Sequence, residues 1–352
     1  MSIIFAILIF SFLIFIHEFG HFITAKLSGV QVNEFSMFMG PAIWKKQKGE
    51  TLYSIRCIPI GGYCAMEGED SDSDNPRAFS SAAWWKRLII LLAGAVMNFV
   101  AGVLILAVLL APMQQVSVLK IHSFENWSTL NHADGLQVGD EILEVDGEKM
   151  YVFSDFTMML TLNPGDVHDL VVERNGQKIV LDDFLMQQHE TLDENGNKVM
   201  RYGVTFTVED MDFTGRMKYV CYTALDWVRT VRLSLQMLLT GQAGLADMSG
   251  PVGIVQQMGQ QASAAASWQE AALDMLYFGA FLAVNLAVMN LLPIPALDGG
   301  RVVALLLTTV IEAITHKKLN PKYEGYIHGA GMILLLALMA IVMLKDIIYI
   351  FR

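Results

Sequence analysis

Charged residues are scarce in this chain of 352 residues: Asp, Glu, Lys and Arg make up 17% of it, whereas hydrophobic residues make up 54%. A soluble globular domain carries about 25% charged residues, so an ordinary soluble protein is excluded. Basic residues are the scarcer sign, with 24 of them against 35 acids and a net charge of -11. Because a nucleic-acid-binding surface needs a basic face, we expect no nucleic-acid partner.

Cysteine is also rare, and internal repeats are absent from the sequence. Cys57, Cys64 and Cys221 form no C-x-x-C pair, so they build neither a disulfide framework nor a thiolate metal site. A metal site in this chain would have to use histidine and carboxylate. The lack of repeats argues against a transporter, because many transporters are built from repeated halves.

Long apolar runs, in contrast, are abundant. They cover residues 3–25, 88–111, 271–292 and 327–350, each close to the ~20 residues that a helix needs to cross a bilayer. A signal peptide has a basic segment before its apolar run and a small-residue cleavage site after it. The first run has neither feature, so we expect it to be a membrane-spanning helix. We therefore expect a polytopic α-helical membrane protein with four transmembrane helices.

The distribution of charge predicts an orientation in the cell inner or cytoplasmic membrane. Residues 26–87 hold eight Lys and Arg and residues 300–326 hold four, whereas residues 113–268 hold 21 acids and 10 bases. Short loops rich in Lys and Arg remain in the cytoplasm. The acidic middle and both termini are then expected outside the cell.

Two segments between the apolar runs have β-strand character. Residues 32–44 and 51–64 are rich in β-branched and aromatic residues around a polar turn, which predicts a membrane-associated β-hairpin. Residues 116–185 read as a small β-rich domain, with a helix near 154–162 capped by Ser154 or Asp155. Residues 213–240 have a helical pattern of aromatics and arginines typical of a membrane surface, whereas the glycine-rich stretch 241–259 allows no assignment.

One motif carries chemistry: His17-Glu18-Phe19-Gly20-His21 ends the first apolar run. On a helix, histidines four residues apart share a face and can bind one zinc ion, and the Glu between them can act as general base. Ionisable groups within hydrocarbon are costly, which favours a functional site. The alternative is a buried polar cluster without metal.

A third ligand is expected, because catalytic zinc usually has three protein ligands and one open position. Asp298 is the best candidate, since Pro293 and Pro295 interrupt the third apolar run just before it. Irregular backbone at membrane depth is tolerated where it lines protein or water, so Asp298 would point inward. The alternatives are a surface acid at Asp298 and an interhelical hydrogen bond for Asn290.

Together these motifs resemble those of the bacterial site-2 proteases, which are intramembrane zinc metalloproteases. The likeness runs in order through H-E-F-G-H at 17–21, P-I-G-G-Y at 59–63, G-A-V-M-N at 94–98 and N-x-x-P-x-P-x-L-D-G at 290–299. Residues 133–147 match phrases of a PDZ domain. The resemblance covers nearly the whole chain.

The resemblance implies that Zn²⁺ is bound by His17, His21 and Asp298, with Glu18 as general base. It implies substrate-binding roles for six further residues: Asn290, Pro293, Pro295, Gly61, Gly62 and Tyr63. An edge of the β-hairpin would pair with an unwound substrate strand. Expected partners are the lipid bilayer and single-span membrane proteins, such as anti-sigma factors and signal-peptide remnants.

The resemblance also sets the expected domain organisation. There is room for one PDZ-like domain, which would either capture a C-terminus or act as a size filter, and no glycine-rich carboxylate-binding loop precedes its first strand. The expected segments are a first transmembrane helix with H-E-F-G-H (1–25), a cytoplasmic loop with the β-hairpin (26–87), a second transmembrane helix (88–111), an extracytoplasmic PDZ-like domain (116–210), an amphipathic interfacial region (211–268), a third transmembrane helix with N-x-x-P-x-P-x-L-D-G (269–299), a cytoplasmic loop (300–326) and a fourth transmembrane helix (327–350).

Two functions of other classes remain as alternatives. A catalytically silent membrane scaffold bearing a PDZ-like domain would not need the complete set of His17, Glu18, His21 and Asp298. A metal transporter could use the same ligands for transit, but Glu18 would then have no chemical role. The site-2 protease interpretation gives every one of these residues a role, with the site near the cytoplasmic face of the membrane.

Overall fold

The computed structural model describes residues 2–69, 73–163, 165–192, 196–244, 247–316 and 321–350. The chain divides into two compact units. One comprises residues 1–109 and 227–352, and the other comprises residues 110–226.

The elements follow one another as a helical part, a β-rich part and a second helical part. The first part contains α1 (Ser2–Ser28), β1 (Val32–Lys48), β2 (Thr51–Met66), a short 3-10 helix (Phe79–Ser81) and α2 (Trp84–Leu110). The middle part contains β3 (Gln115–Phe124), β4 (Glu141–Val145), β5 (Glu148–Lys149), α3 (Phe153–Leu162), β6 (Val167–Arg174), β7 (Gln177–Leu185), β8 (His189–Leu192), β9 (Lys198–Arg201) and β10 (Val204–Asp210). The last part contains α4 (Phe213–Thr240), α5 (Pro251–Ala264), α6 (Trp268–Asn290), α7 (Asp298–Thr315) and α8 (Pro321–Ile350).

Four helices within the described residues are long and apolar enough to cross a membrane. Their membrane-length stretches are Ile4–Ser28, Trp84–Leu110, Trp268–Asn290 and Gly325–Ile348, which confirms the four expected from the apolar runs. Lipid tails are as apolar as leucine, so these helices associate through close packing of small residues. At Gly102 of α2, for example, a β-carbon would lie 2.9 Å from the Ala280 carbonyl oxygen and 3.1 Å from Ala283 Cβ of α6.

The predicted hairpin forms a sheet in which β1 and β2 each contribute two pairing segments. On one side of β1, Val32 pairs with Met66 and Met37 with Gly62; on the other side, Met37 is in register with Ile55. The second half of β1 pairs back on β2, with Lys48 opposite Thr51. The resulting order is 42–48, 51–58, 32–39 and 62–66, which leaves residues 62–66 at an edge that no other described strand pairs with.

A cluster of apolar side chains fixes this sheet against α1 and α2. Val32 and Phe35 of β1 are buried with Ala25 of α1 and Ile90 of α2. Because Ala25 lies only four residues after His21, this packing places the sheet beside the end of α1 that carries the H-E-F-G-H motif.

The unit 110–226 contains a larger sheet with strand order β10-β3-β4-β6-β7. The hairpin expected around Asn175-Gly176 is present between β6 and β7, with Arg174 opposite Gln177. The expected helix is α3, but neither Ser154 nor Asp155 is its N-cap, because the helix begins after Val152. The Asp155 carboxylate instead accepts hydrogen bonds from the backbone N–H groups of Tyr151 and Val152.

Two segments that the sequence left without structure are helical. The stretch 241–259, which received no assignment, contains the start of α5, whose Met258 is buried against Ala6 of α1 and Met275 of α6. The stretch 300–326, expected only as a loop, contains most of α7. The helix expected over 213–240 is present as α4.

Candidate metal centre

Helix α1 brings the two histidines of the H-E-F-G-H motif together. The uninterrupted apolar sequence before the motif keeps α1 helical through both residues, and a four-residue spacing places them on one face. His17 Nε2 and His21 Nε2 lie 3.2 Å apart. Each ring presents the same nitrogen to the same point in space.

Asp298 reaches this point because the third membrane helix stops early. Helix α6 ends at Asn290, and Pro293 and Pro295, which have no N–H to donate, prevent its continuation. After a short turn, α7 starts at Asp298. The buried Asp298 Oδ2 lies 3.2 Å from His17 Nε2 and 3.4 Å from His21 Nε2.

The three side chains fit a zinc ion. Ligand atoms at 2.0–2.1 Å from a tetrahedral zinc ion are separated by about 3.3 to 3.4 Å, and the three separations here are 3.2, 3.2 and 3.4 Å. Two imidazoles and one carboxylate also form a donor set typical of zinc hydrolases. Among the described residues, this is the group of three that could hold a metal ion.

Partners behind the histidines orient their rings. His21 Nδ1 lies 2.8 Å from the backbone oxygen of Ile90 on α2. A carbonyl oxygen can only accept, so Nδ1 carries the proton and Nε2 keeps a free lone pair. The side-chain amide of Asn290 lies against His17, with Nδ2 3.4 Å from Nδ1, which places this predicted substrate-binding residue directly behind the His17 ring.

Helix α2 approaches the centre through glycine. A β-carbon at Gly94 would overlap with His21 Nε2 and would lie 2.7 Å from His17 Cε1. A β-carbon at Gly20 of α1 would lie 2.5 Å from the Ala93 backbone oxygen. These glycines therefore let α1 and α2 pack at backbone distance and leave room for the ion.

Glu18 lies between the histidines in sequence and faces the β-sheet. A β-carbon at Gly62 would be 3.5 Å from Glu18 Cγ, and the Cys64 backbone N–H donates a hydrogen bond to the Glu18 carboxylate. The same carboxylate interacts electrostatically with His17, His21 and Asp298. It is therefore placed both beside the ligands and beside the edge segment 62–66.

The other predicted site residues are distributed around this centre. Gly61, in the left-handed region with φ 79°, directly precedes the edge segment, and Gly62 is its first residue. Tyr63 follows them, with the Arg56 guanidinium 5.3 Å from its ring. Pro293 is exposed, whereas Pro295 is half-buried in the turn before Asp298.

Sequence reasoning missed two groups that support the centre. The Ile90 backbone oxygen carries no signal in a sequence, because any residue supplies a carbonyl group. His328 on α8, whose Nδ1 lies 3.0 Å from the Ala296 backbone nitrogen, did carry one: it is a histidine within the fourth apolar run, where a polar group needs a purpose.

Comparison with known proteins supports the chemistry of this centre. The model of peptidase family M50 matches residues 5–338. A Clostridium perfringens protein named as a candidate zinc metalloprotease is 37% identical over 351 residues, which cover 99% of both chains. The Regulator of sigma-W protease RasP of Bacillus subtilis is 27% identical over 423 residues, and the Zinc metalloprotease RasP of Oceanobacillus iheyensis is 28% identical over 428 residues; each match covers 97% of both chains.

The family match covers the second and third membrane-length helices, nearly all of the first and more than half of the fourth, and it includes His17, His21 and Asp298. The relatives match along their full length, so the likeness extends beyond a shared motif. The chain therefore belongs to peptidase family M50, the site-2 proteases, and is a zinc-dependent membrane metalloprotease.

Proposed function

We propose that this protein is an intramembrane endopeptidase that cuts the transmembrane segments of single-span membrane proteins. The observation that carries the proposal is the position of the edge segment 62–66 beside Glu18. The Cys64 backbone interacts with the Glu18 carboxylate, and Gly62 lies beside Glu18 Cγ, so the edge segment lies next to the ligand cluster. A substrate strand added there would lie next to His17 and Asp298.

The need for such an edge follows from the substrate. A transmembrane helix shields its amide groups by its own hydrogen bonds, and unsatisfied backbone groups in hydrocarbon cost several kcal/mol each. Pairing with a sheet edge replaces the lost bonds while the scissile peptide becomes accessible. Gly62 keeps this edge free of a side chain where it passes Glu18.

The catalytic roles follow from the arrangement of the side chains. A zinc ion held by His17, His21 and Asp298 supplies a Lewis acid that makes water nucleophilic near neutral pH and polarises a carbonyl group. Glu18, beside the ligands, accepts the proton from the attacking water and passes it to the leaving amine. Ile90 and Asn290 hold the two imidazoles so that each presents Nε2.

The substrates we propose are anti-sigma factors and signal-peptide remnants. The support is twofold: both are single-span segments that a sheet edge could hold, and a relative over the whole chain is named a regulator of sigma-W protease. We place the site near the cytoplasmic face, because the loops 26–87 and 300–326 are the ones rich in Lys and Arg.

We further propose that residues 116–210 form an extracytoplasmic PDZ-like domain. A cavity of about 1080 Å³ lies beside α3 and β10, and β10 is an edge strand of the sheet. A glycine turn at Gly203, with φ 68°, lines the same cavity directly before β10. Helix α3 packs on β10 through Phe156 and Phe206. The cavity therefore lies beside the last strand, whereas the sequence shows no glycine-rich carboxylate-binding loop before the first strand.

The experiment that tests the function is cleavage of a single-span model substrate by purified protein in detergent. Wild type is compared with Glu18→Gln, and bound zinc is counted in both. We expect cleavage by wild type alone, with zinc retained in both proteins. Equal cleavage by both, or none by a zinc-loaded wild type on any single-span substrate, would contradict the proposal and favour the silent scaffold.

A further inference from the structure

The turn that delivers Asp298 contains a backbone conformation that needs support. Ala296, two residues before the ligand, has φ 79°. This is the left-handed region, which glycine adopts readily and which the β-carbon of other residues disfavours. Alanine at this position therefore stays in place only if its surroundings hold it there.

One side of the turn is held by α7. A β-carbon at Gly299 would overlap with the Leu291 carbonyl group, and one at Gly300 would overlap with the Ile294 oxygen. The start of α7 thus packs at backbone distance against the beginning of the turn. This contact fixes where α7 starts, but it does not reach the Ala296 N–H.

The other side of the turn is held by α8. His328 Nδ1 lies 3.0 Å from the Ala296 nitrogen, and a backbone N–H can only donate, so Nδ1 is the acceptor. Three residues later, on the same face of the helix, a β-carbon at Gly331 would lie 2.7 Å from the Pro295 oxygen. Helix α8 therefore holds the Pro295-Ala296 segment with one hydrogen bond and one glycine contact.

We propose that His328 is a positioning residue of the zinc centre. By accepting the Ala296 N–H, it holds the turn in the conformation that directs the Asp298 carboxylate to His17 and His21. Its hydrogen bond is to the backbone of the turn, and it acts on the ligand through that backbone. The inference depends on the zinc centre and not on the identity of the substrate, so it stands or falls separately from the proposed cleavage reaction.

A matched pair of amide substitutions tests the position of the acceptor. In His328→Asn the side-chain oxygen can occupy the place of Nδ1, whereas in His328→Gln it is one bond further out, near the place of Nε2. Zinc affinity is measured on the full-length purified protein by competition with a chelator. We expect the Asn variant to bind within about threefold of wild type and the Gln variant to bind ten- to a hundredfold more weakly, as for other outer partners of metal ligands.

A backbone substitution then distinguishes positioning from helix packing. Ala296→Gly in the His328→Gln protein should restore most of the zinc affinity, because glycine adopts the required φ without help. The same substitution at exposed Ala313 of α7 should restore nothing. Equal affinities of the Asn and Gln variants, or a failure of Ala296→Gly to rescue, would overturn the proposal.

Discussion

Gly94 shows how a residue without a side chain can define a metal centre. It lies on α2, and the space that its β-carbon would occupy is bordered by His21 Nε2 and His17 Nε2, the latter 2.8 Å away. A methyl group here would displace both ligand nitrogens. The geometry of the proposed metal centre therefore depends on this glycine as well as on the two histidines.

We therefore expect Gly94→Ala to weaken zinc binding at least about tenfold and to abolish cleavage, while the protein still folds. Gly279→Ala on α6 is the matched control, because its β-carbon would meet Ile9 at 3.3 Å or more. Zinc content and thermal unfolding of both purified variants check this. A Gly94→Ala protein with a full complement of zinc would contradict the steric argument.

Asn290 admits a second residue-scale prediction, since it lies behind His17. The amide nitrogen faces Nδ1 in this structure; a half-turn of the amide would place its oxygen there, where it would accept the Nδ1 proton and leave Nε2 free for zinc. We expect Asn290→Leu to weaken zinc affinity about tenfold and Asn290→Asp, which keeps an acceptor, to weaken it less. Both zinc affinity and the kinetic constants are measured. A raised KM with unchanged zinc affinity would instead assign Asn290 to substrate binding alone.

At the scale of elements, a carboxylate joins two turns in the unit 110–226. Asp146 accepts hydrogen bonds from Asn163 Nδ2 at 2.9 Å, from the Asp169 N–H at 3.0 Å and from His168 Nδ1 at 2.8 Å. Burial alone would raise the pKa of Asp146, but the hydrogen bonds from His168 and Asn163 outweigh it and hold that pKa below its ordinary value. The charged form is therefore the one that stabilises this fold.

A folded-state pKa below the unfolded value means that the stabilisation is complete above the unfolded pKa of about 3.9 and is lost as pH falls through the lower folded value. We expect Asp146→Asn to cost about 1 to 2 kcal/mol at pH 7. Faster hydrogen exchange across residues 165–169 of the full chain should report this, with Asp182→Asn as control. A difference from wild type that persists unchanged below pH 3 would contradict the electrostatic origin.

The elements also show what sequence reasoning can and cannot reach. Asp298 was predictable because Pro293 and Pro295 mark the break in α6 within the sequence itself. Helix α5 was not, because the group that starts it is remote: Asp346 of α8 accepts the N–H groups of Gly250 and Gly253 at 2.9 and 2.8 Å. A glycine-rich segment gives no local signal for a helix whose cap lies 96 residues further along the chain.

The same distinction applies within the metal centre. His17 and His21 share a helix, so their spacing alone placed them together. The contacts made by Ile90, Gly94 and His328 join residues of different elements. In the contacts of Ile90 and His328, one of the two partners is a backbone group. Periodicity and spacing describe one element at a time, so contacts between elements require the structure.

For the whole molecule, orientation is the property on which the proposed function depends most. The basic loops and the acidic middle predict that the β-hairpin lies in the cytoplasm and the unit 110–226 lies outside. The opposite orientation would place the edge segment and the zinc ligands near the outer face. Cleavage products would then be released outside the cell, where they could not act on a sigma factor.

A pair of Lys→Cys substitutions measures this orientation. Lys48 ends β1 in the hairpin and Lys178 lies in β7; both are exposed. The background protein carries Cys57→Ser and Cys221→Ser, so that its remaining cysteine, Cys64, is buried. Among the described residues, the introduced cysteine then supplies the accessible thiol. We expect a membrane-impermeant maleimide to label Lys178→Cys in intact spheroplasts and Lys48→Cys only after permeabilisation. The reverse labelling pattern would show the opposite topology and would remove the basis for release of the cleaved segment into the cytoplasm. As a control, both variants should be labelled fully in detergent, so that a missing signal reports protection by the membrane and not a buried thiol.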